Sequence, residues 1–410
     1  MLDPQRSITV YEYSTLRVGT DLTEDQFNSL AAFKDRSGRE YFTLLHKGIR
    51  FNSFVGILQV GSTLIEILPK ADRDGNEEYW RSMLIGMLRA AGIMKVDTPS
   101  ASNLRLKPNA LLDIYIELFI KEVEYLLHRG LAKMYRRTEG NNSTFKGSIV
   151  FSKHIQQNVV HQERMYSRST VFDNEHVLHK ILYKALRLLT QICTSSKLHS
   201  RIGNLLLNFP EMPDVRVDNK LFEKISLVRR TAHYSKALQI ARLLLLNYHP
   251  DIQSGRNSVL ALLFDMNVVW EKFIFKTLQR KLDHSEYSVK EQVAMDFWKP
   301  RQGNSVRIKP DIVLKNEGKT YVIDTKWKTL DKAKVDMADL RQMFVYHKYF
   351  EAPLVAILYP GSSNNLINGS YSEPGLSEKP ECTLMPVDIG ESITIWQQVI
   401  ASTVINWMKA

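Results

Sequence analysis

From Ile8 to Pro69 apolar and polar positions mostly alternate, the two-residue period of half-buried β-strands. Val55 to Val60 and Thr63 to Leu68 flank Gly61-Ser62, and glycine accepts the positive φ of a tight hairpin turn, so a hairpin is predicted here. The period then lengthens. Trp80, Leu84, Met87, Leu88 and Ala91 share one face of a helix from about Glu77 to Ala91, with Gly92 as its stop. Pro108 opens a longer helix with the stripe Leu112, Tyr115, Ile116, Phe119, Val123 and Leu126. A basic helix ending near Arg137 and helices over 174–194 and 231–247 complete a helical middle region. Leu262 to Leu278 again has helical spacing, with Glu271 beside a stripe of Val268, Phe275 and Leu278. Val335 to Tyr349 reads as a helix carrying Asp339, Arg341, Gln342 and Tyr346, and Pro353 to Tyr359 as a buried strand. Turn-rich joints at Asp72-Arg-Asp-Gly75 and Ser254-Gly-Arg-Asn257 divide the chain. The expected parts are a β-rich N-terminal domain (1–75), a mostly helical middle region (76–255) and a third domain (256–410) in which Ser362 to Pro374 is a loop.

Chemistry concentrates in Arg307-Ile-Lys-Pro-Asp-Ile-Val-Leu-Lys315 and Lys319-Thr-Tyr-Val-Ile-Asp-Thr-Lys326, read as two strands joined by a turn at Asn316-Glu-Gly318. Asp311 lies in the first strand and Asp324 ends the second. Side chains two apart in a strand share a face, so Asp324 and Lys326 project together. Two carboxylates and an ammonium on one sheet surface favour a hard divalent cation, because Mg²⁺ takes a few carboxylate oxygens together with water and phosphate. A bare Asp-x-Lys should occur about once or twice in a chain this long. A second copy, Asp218-Asn-Lys220, has no strand–turn–strand frame, and Glu317-Gly-Lys319 falls in the turn, so both read as solvated surface.

Composition narrows the function classes. The chain has 410 residues, too many for one ordinary core, and Lys plus Arg exceeds Asp plus Glu by 11, which favours a polyanionic partner. Basic residues thicken at Lys133, Arg136, Arg137, Lys146, Lys153 and Arg164, and again at Lys299, Arg301, Arg307 and Lys309 beside the acid hairpin. With 2 cysteines there is neither a disulfide framework nor a zinc cluster. The absence of a signal-like start or membrane-length apolar run leads to the expectation of a soluble cytoplasmic protein with no membrane partner. The acidic turn Asp72 to Glu78 has its glycine misplaced for a calcium loop. No P-loop, H-E-x-x-H or nucleophile elbow occurs, and His176 and His179 read as helix-surface residues.

The order helix, strand, strand, helix, strand around these acids resembles the PD-(D/E)xK nuclease core. More of the chain resembles the McrC nuclease subunit of McrBC-type, modification-dependent (5-methylcytosine) restriction systems. Gly147-Ser-Ile-Val-Phe-Ser-Lys-His-Ile155 is similar to that family's "G-x-[IL]-x-F-x-x-x-I" segment, and Asn174 to Leu189 to its asparagine-led, leucine-rich helix. Lys47 to Phe51, Val55 to Gln59 and Ile65 to Lys70 resemble the β-rich start of its longer members. The implied fold class is α+β multidomain: a β-rich N-terminal domain, a helical middle and a C-terminal α/β restriction-endonuclease-like core with a mixed sheet. The resemblance implies that Asp311, Asp324 and the Thr325 carbonyl ligate Mg²⁺, with Mn²⁺ as a substitute, and that Lys326 orients or activates the attacking water. Glu271 corresponds to a helix acid of many such nucleases, and Gln342 to a glutamine that touches the DNA backbone or the lysine. It also implies DNA containing modified cytosine as substrate and a hexameric McrB-like AAA+ GTPase or ATPase as partner. Residues 1–75, with the hairpin as a stiff projection, are then expected to dock on that ring and raise its turnover, with Arg36, Arg39, Lys47 and Arg50 as candidate positive groups. A non-catalytic motor activator and a free-standing repair nuclease are the competing readings.

Overall fold

The computed structural model describes residues 6–69, 76–94, 110–249, 258–282, 287–328, 336–361, 363–372 and 380–409. The joints at Asp72–Gly75 and Ser254–Asn257, and Pro108, lie outside them. The chain forms two compact units, one of Met1–Leu111 with Asp251–Ala410 and one of Leu112–Pro250. The first unit therefore joins both ends of the sequence, a grouping different from the consecutive parts 1–75, 76–255 and 256–410.

The N-terminal part runs β1 (Arg6–Tyr11), β2 (Thr15–Arg17), α1 (Glu24–Ser37), β3 (Phe42–Leu45), β4 (Gly48–Phe51), β5 (Phe54–Val60), β6 (Thr63–Leu68) and α2 (Glu77–Ala90). Helix α1 begins with a capping box in which Thr23 and Gln26 satisfy each other's backbone N–H groups, and ends at Gly38 in the left-handed conformation. The hairpin β5–β6 turns at Gly61 as the sequence predicts. It is not a projection: nearly every residue of both strands is buried, and β6 also pairs in parallel with β1. Beneath it Arg81 of α2 makes a two-pronged contact with Glu66, with Nε to Oε1 at 2.8 Å, in a buried ion pair.

The second unit contains α3 (Ala110–Arg129), β7 (Met134–Asn142), β8 (Ser148–Ile149), α4 (Phe151–Asn158), β9 (Met165–Asp173), α5 (Val177–Ile192), α6 (Ser196–Asn208), α7 (Asn219–Glu223), α8 (Ser235–Leu246) and β10 (Tyr248–His249). The predicted stripe of α3 is buried throughout. Arg137 lies in β7 rather than ending a helix: β7 pairs with β9 over its full length, a long-range ladder that local pattern does not reveal. His176 and His179 are buried, correcting their reading as surface residues. The His179 ring bonds the Asn174 carbonyl through Nδ1 (2.6 Å) and the Tyr234 hydroxyl through Nε2 (2.9 Å).

The chain then returns to the first unit with β11 (Val259–Asp265), α9 (Met266–Leu282), β12 (Ser288–Glu291), β13 (Met295–Trp298), β14 (Val306–Ile308), β15 (Ile312–Asn316), β16 (Lys319–Thr325), α10 (Met337–Tyr349), β17 (Leu354–Gly361), β18 (Ile367–Ser370), β19 (Glu381–Asp388) and α11 (Ile393–Lys409). The start of the expected helix at Leu262 is instead strand, because β11 pairs antiparallel with β5. A short, continuous apolar run fits a buried strand as well as a helix, and the partner decides. Gly56 makes that pairing close: a Cβ there would lie 2.2 Å from the Leu262 carbonyl oxygen. Within α9, Phe275 and Leu278 are buried but Val268 is exposed, the inner face being carried by Val269, Trp270, Phe273 and Ile274. Part of the expected 362–374 loop is strand β18. A six-stranded mixed sheet has the order β12-β15-β16-β17-β19-β18, with β16, β17 and β19 parallel and the other pairs antiparallel. One core cluster joins Val313, Val322, Val355 and Ile357 of this sheet to Met343 and Tyr346 of α10.

Candidate active site

The hairpin β15–β16 turns through Glu317 and Gly318, both at positive φ (47° and 79°), which suits a two-residue turn. The turn sets the register that brings Asp311, just before β15, opposite the end of β16. The Asp311 Oδ2 accepts hydrogen bonds from the Thr325 backbone N–H (2.7 Å) and hydroxyl (2.8 Å), and among the described residues Oδ1 has no protein donor. Asp324 is 2% exposed. The Lys326 Nζ lies 2.8 Å from its Oδ2, on the shared strand face the sequence predicts. The Lys326 backbone N–H donates to the Leu358 carbonyl, fixing the strand end against β17.

Helix α10, capped by the Asp336 side chain on the Ala338 N–H, supplies the other wall. The Gln342 Nε2 donates to Tyr346 Oη (2.7 Å) and reaches Asp324 Oδ1 (3.3 Å), while its Oε1 faces Lys326 Nζ (3.4 Å). One amide thus touches both the acid and the lysine, so it is not an exposed helix amide. Asp339, one helical turn earlier, pairs with Lys328 at 2.6 Å and lies 3.7 Å from Lys326. Glu271 of α9 stands at the edge. Its Oε1 accepts from Gln292 Nε2 (2.6 Å), and the Gln292 N–H donates to the Asp311 carbonyl (3.0 Å). The structure therefore gathers Asp311, Asp324, Thr325, Lys326 and Gln342 directly, and Glu271 through Gln292. Asp218 is far from this role: it is exposed and caps α7.

Electrostatics make the acid pair expensive. Burial pushes the Asp324 carboxyl well above the usual carboxylate range, and the neighbouring Asp311 charge adds to it. Burial also raises Asp311 against the opposing pull of the Thr325 hydrogen bonds. Burial raises Glu271 too, with the Asp311 charge second. For Lys326 burial acts against the charge, but Asp324 and its neighbours outweigh it and the ammonium is held above its ordinary range. The donor set suits a hard divalent cation, with Asp311 Oδ1, an Asp324 oxygen and the Thr325 carbonyl as the oxygens it would use. Among the described residues no group of three or more His, Cys, Asp or Glu could hold a metal. A cation here would complete its shell with water and substrate, as Mg²⁺ does and Zn²⁺ in a structural site does not.

Sequence reasoning missed three residues at this site. Gln292 carries a signal only in three dimensions, a positive φ of 49° on a residue other than glycine. Asp339 and Lys328 were visible as charges but had no assigned part. The first basic group is partly spent inside its own unit, since Arg136 pairs with Asp173 and Glu175, and Lys153 with Glu139.

Fold and site together define a mixed α/β protein that presents an acid pair, a lysine and a glutamine at the end of a central strand. The family model described as McrBC 5-methylcytosine restriction system component matches residues 49–360, and the chain belongs to that family. The fold is similar to that of a chain in the refined half-complex from the tetradecameric assembly of Thermococcus gammatolerans McrB AAA+ hexamers with bound McrC. The TM-score is 0.69 at 19% identity, covering 98% of this chain and 100% of that one. A chain of the cryo-EM structure of the Thermococcus gammatolerans McrBC complex gives a TM-score of 0.48 at 20% identity, covering 67% and 88%. No curated protein matches the chain. No helix among the described residues is long and apolar enough to cross a membrane.

Proposed function

We propose that this chain is a Mg²⁺-dependent DNA endonuclease subunit of a modification-dependent restriction complex, built on a PD-(D/E)xK core. The observation that carries the reading is buried Asp324 beside half-buried Asp311, with Lys326 and Gln342 at one strand end, an arrangement whose electrostatic cost a structural role leaves unexplained. A bound Mg²⁺ would polarise the scissile phosphate and lower the pKa of a water. Asp311 and Asp324 supply the negative oxygens that hold the cation, and the Thr325 N–H and hydroxyl fix the rotamer of Asp311. Lys326, an ammonium in this setting, orients the water and offsets charge developing on the phosphate in the transition state. Gln342 holds Lys326 and Asp324 in register, and Glu271 with Gln292 borders the site.

In keeping with the family and with the McrB-bound structure of similar fold, a McrB-like AAA+ ring is the partner that licenses cutting of DNA carrying modified cytosine. The buried β5–β6 hairpin is not free to dock. The exposed apolar residues Tyr135, Phe151, Ile155, Val159, Val160 and Phe172 of the second unit offer a better contact, with Phe151 and Ile155 one turn apart on α4 and Val159 at its C-cap.

The test is cleavage of methylated plasmid by the full chain with its NTPase partner. Asp324→Ala and Lys326→Met should each lower the rate by about 10²-fold or more, the scale of deleting one preorganised group, whereas Asp218→Ala should cut normally. Undiminished cutting by Asp324→Ala, or full activity in EDTA, would refute the assignment. Cutting without the NTPase would instead identify a free-standing nuclease.

A further inference from the structure

Strands β13 and β14 form a separate two-stranded ribbon of the first unit, outside the six-stranded sheet. Its surface is unusual. Trp298 is 59% exposed and its partner across the ribbon, Val306, is 51% exposed, so an indole and a valine stand together in water. A shift in register between Asp296 and Trp298 bends the ribbon there, the kind of irregularity that re-aims a side chain. Phe297, by contrast, is partly accounted for, because its ring lies 5.3 Å from Tyr349 of α10. Next to the indole, Lys299 and Arg301 are exposed and have no acidic partner among the described residues, while Arg307 is held by Asp296 at 2.8 Å.

The ribbon is bolted to the candidate active site at both of its ends. It departs just after Gln292, whose N–H bonds the Asp311 carbonyl and whose side chain bonds Glu271. It returns through Ile308, packed on the sheet core, and Pro310 into Asp311 itself. Whatever the ribbon grips is therefore positioned relative to Asp311 with little slack.

We infer that the β13–β14 ribbon is a DNA-gripping element: Trp298 stacks on or wedges against a base or sugar edge, while Lys299 and Arg301 hold flanking phosphates. An exposed indole beside two unpaired cations matches a polynucleotide, which offers an aromatic or sugar face within reach of paired negative charges. Duplex DNA is the ligand this reading requires, and it rests on the proposed nuclease function of the adjoining site.

Binding of a fluorescently labelled duplex to the full chain, followed by anisotropy in metal-free buffer over a range of salt, separates the ribbon from the chemistry. Trp298→Ala should weaken binding by about 10-fold or more with an unchanged salt slope, and Trp298→Phe should restore most of it, since stacking needs only a ring. The double variant Lys299→Gln/Arg301→Gln should reduce the slope of log K against log[salt] by about two. Leu207→Ala, an exposed apolar residue of α6 in the other unit, is the control. Wild-type affinity and slope in both ribbon variants, with their melting temperatures intact, would overturn the proposal, as would an equal loss in the control. Cutting is assayed on the same protein preparations after Mg²⁺ and the NTPase partner are added. Ribbon-dependent binding by a wild-type protein that never cuts would sink the nuclease reading alone, and undiminished cutting with undiminished binding in the variants would sink the ribbon alone.

Discussion

Replacing Asp324 by Asn should destroy cutting and at the same time stabilise the metal-free protein. The carboxylate is 2% exposed. It is offset by one ammonium at 2.8 Å and one distant amide contact, with the half-buried acid Asp311 beside it. Its folded pKa lies above the ordinary value, so the ionised form opposes folding at neutral pH, and this penalty disappears as pH falls below the unfolded carboxyl's range near 4. Each unit of elevation is worth about 1.4 kcal/mol. The substitution also removes the partner of Lys326, leaving Asp339 at 3.7 Å as its nearest acid, which returns part of the gain. A net stabilisation of about 1–2 kcal/mol follows, or a melting point raised by roughly 2–4 °C for a unit of this size. The assay is thermal melting at pH 7.5 with and without Mg²⁺. Wild type should gain from millimolar Mg²⁺ by mass action, roughly 1.4 kcal/mol at ten times Kd, and Asp324→Asn should gain nothing. A variant that melts lower than wild type in EDTA, or an equal Mg²⁺ shift in both proteins, would refute the argument that these acids are an unsatisfied cation site.

The other predictions concern the frame around the site. Glu66→Ala leaves buried Arg81 with only the exposed Glu77 at 3.9 Å and should cost about 3 kcal/mol, while Glu66→Leu with Arg81→Met should recover most of it, both read from melting curves. Burial holds His179 neutral, its pKa lowered to about 4 with help from His176. The unfolded imidazole takes its proton first, so stability present above about pH 6.5 is lost toward pH 4 at up to about 1.4 kcal/mol per unit. Urea midpoints should show this slope in wild type and a shallower one in His179→Gln; parallel slopes would exclude the histidine. A chain beginning at Asn76 should fail to fold, because β11 loses its β5 neighbour and Arg81 its carboxylate; a folded, monomeric product by circular dichroism and gel filtration would contradict this.

The acid hairpin was legible because its information is local. Alternation, a turn glycine and Asp324-x-Lys326 lie within a few residues of one another, and the pleat alone puts acid and lysine on one face. The stripes of α2 and α3 were legible for the same reason. What failed was long-range. Nothing near Arg137 announces that β7 pairs with β9, and the apolar run at Val259–Phe264 is strand only because β5 is available to it. His176 and His179 have polar side chains at helical spacing, and their burial becomes affordable only through Tyr234 and the carbonyls of Ala132 and Asn174.

Long-range contacts also tie the residues before 75 into the first unit. The Trp327 Nε1 donates to Glu12 Oε1 at 2.7 Å across 315 residues of sequence, in the interior of the first unit. Trp327 follows Lys326 directly, and its ring lies 5.4 Å from Trp270, which packs in turn on Trp396. Glu12, which follows β1, thus anchors the residue just after Lys326, and α9, which carries Glu271, presents Trp270 to that same anchor. A displacement of β1 or its neighbours would be felt at Lys326 through a rigid indole rather than through a flexible linker, because close-packed interiors transmit small shifts. Distance in sequence from the candidate site therefore says little here about distance in the fold.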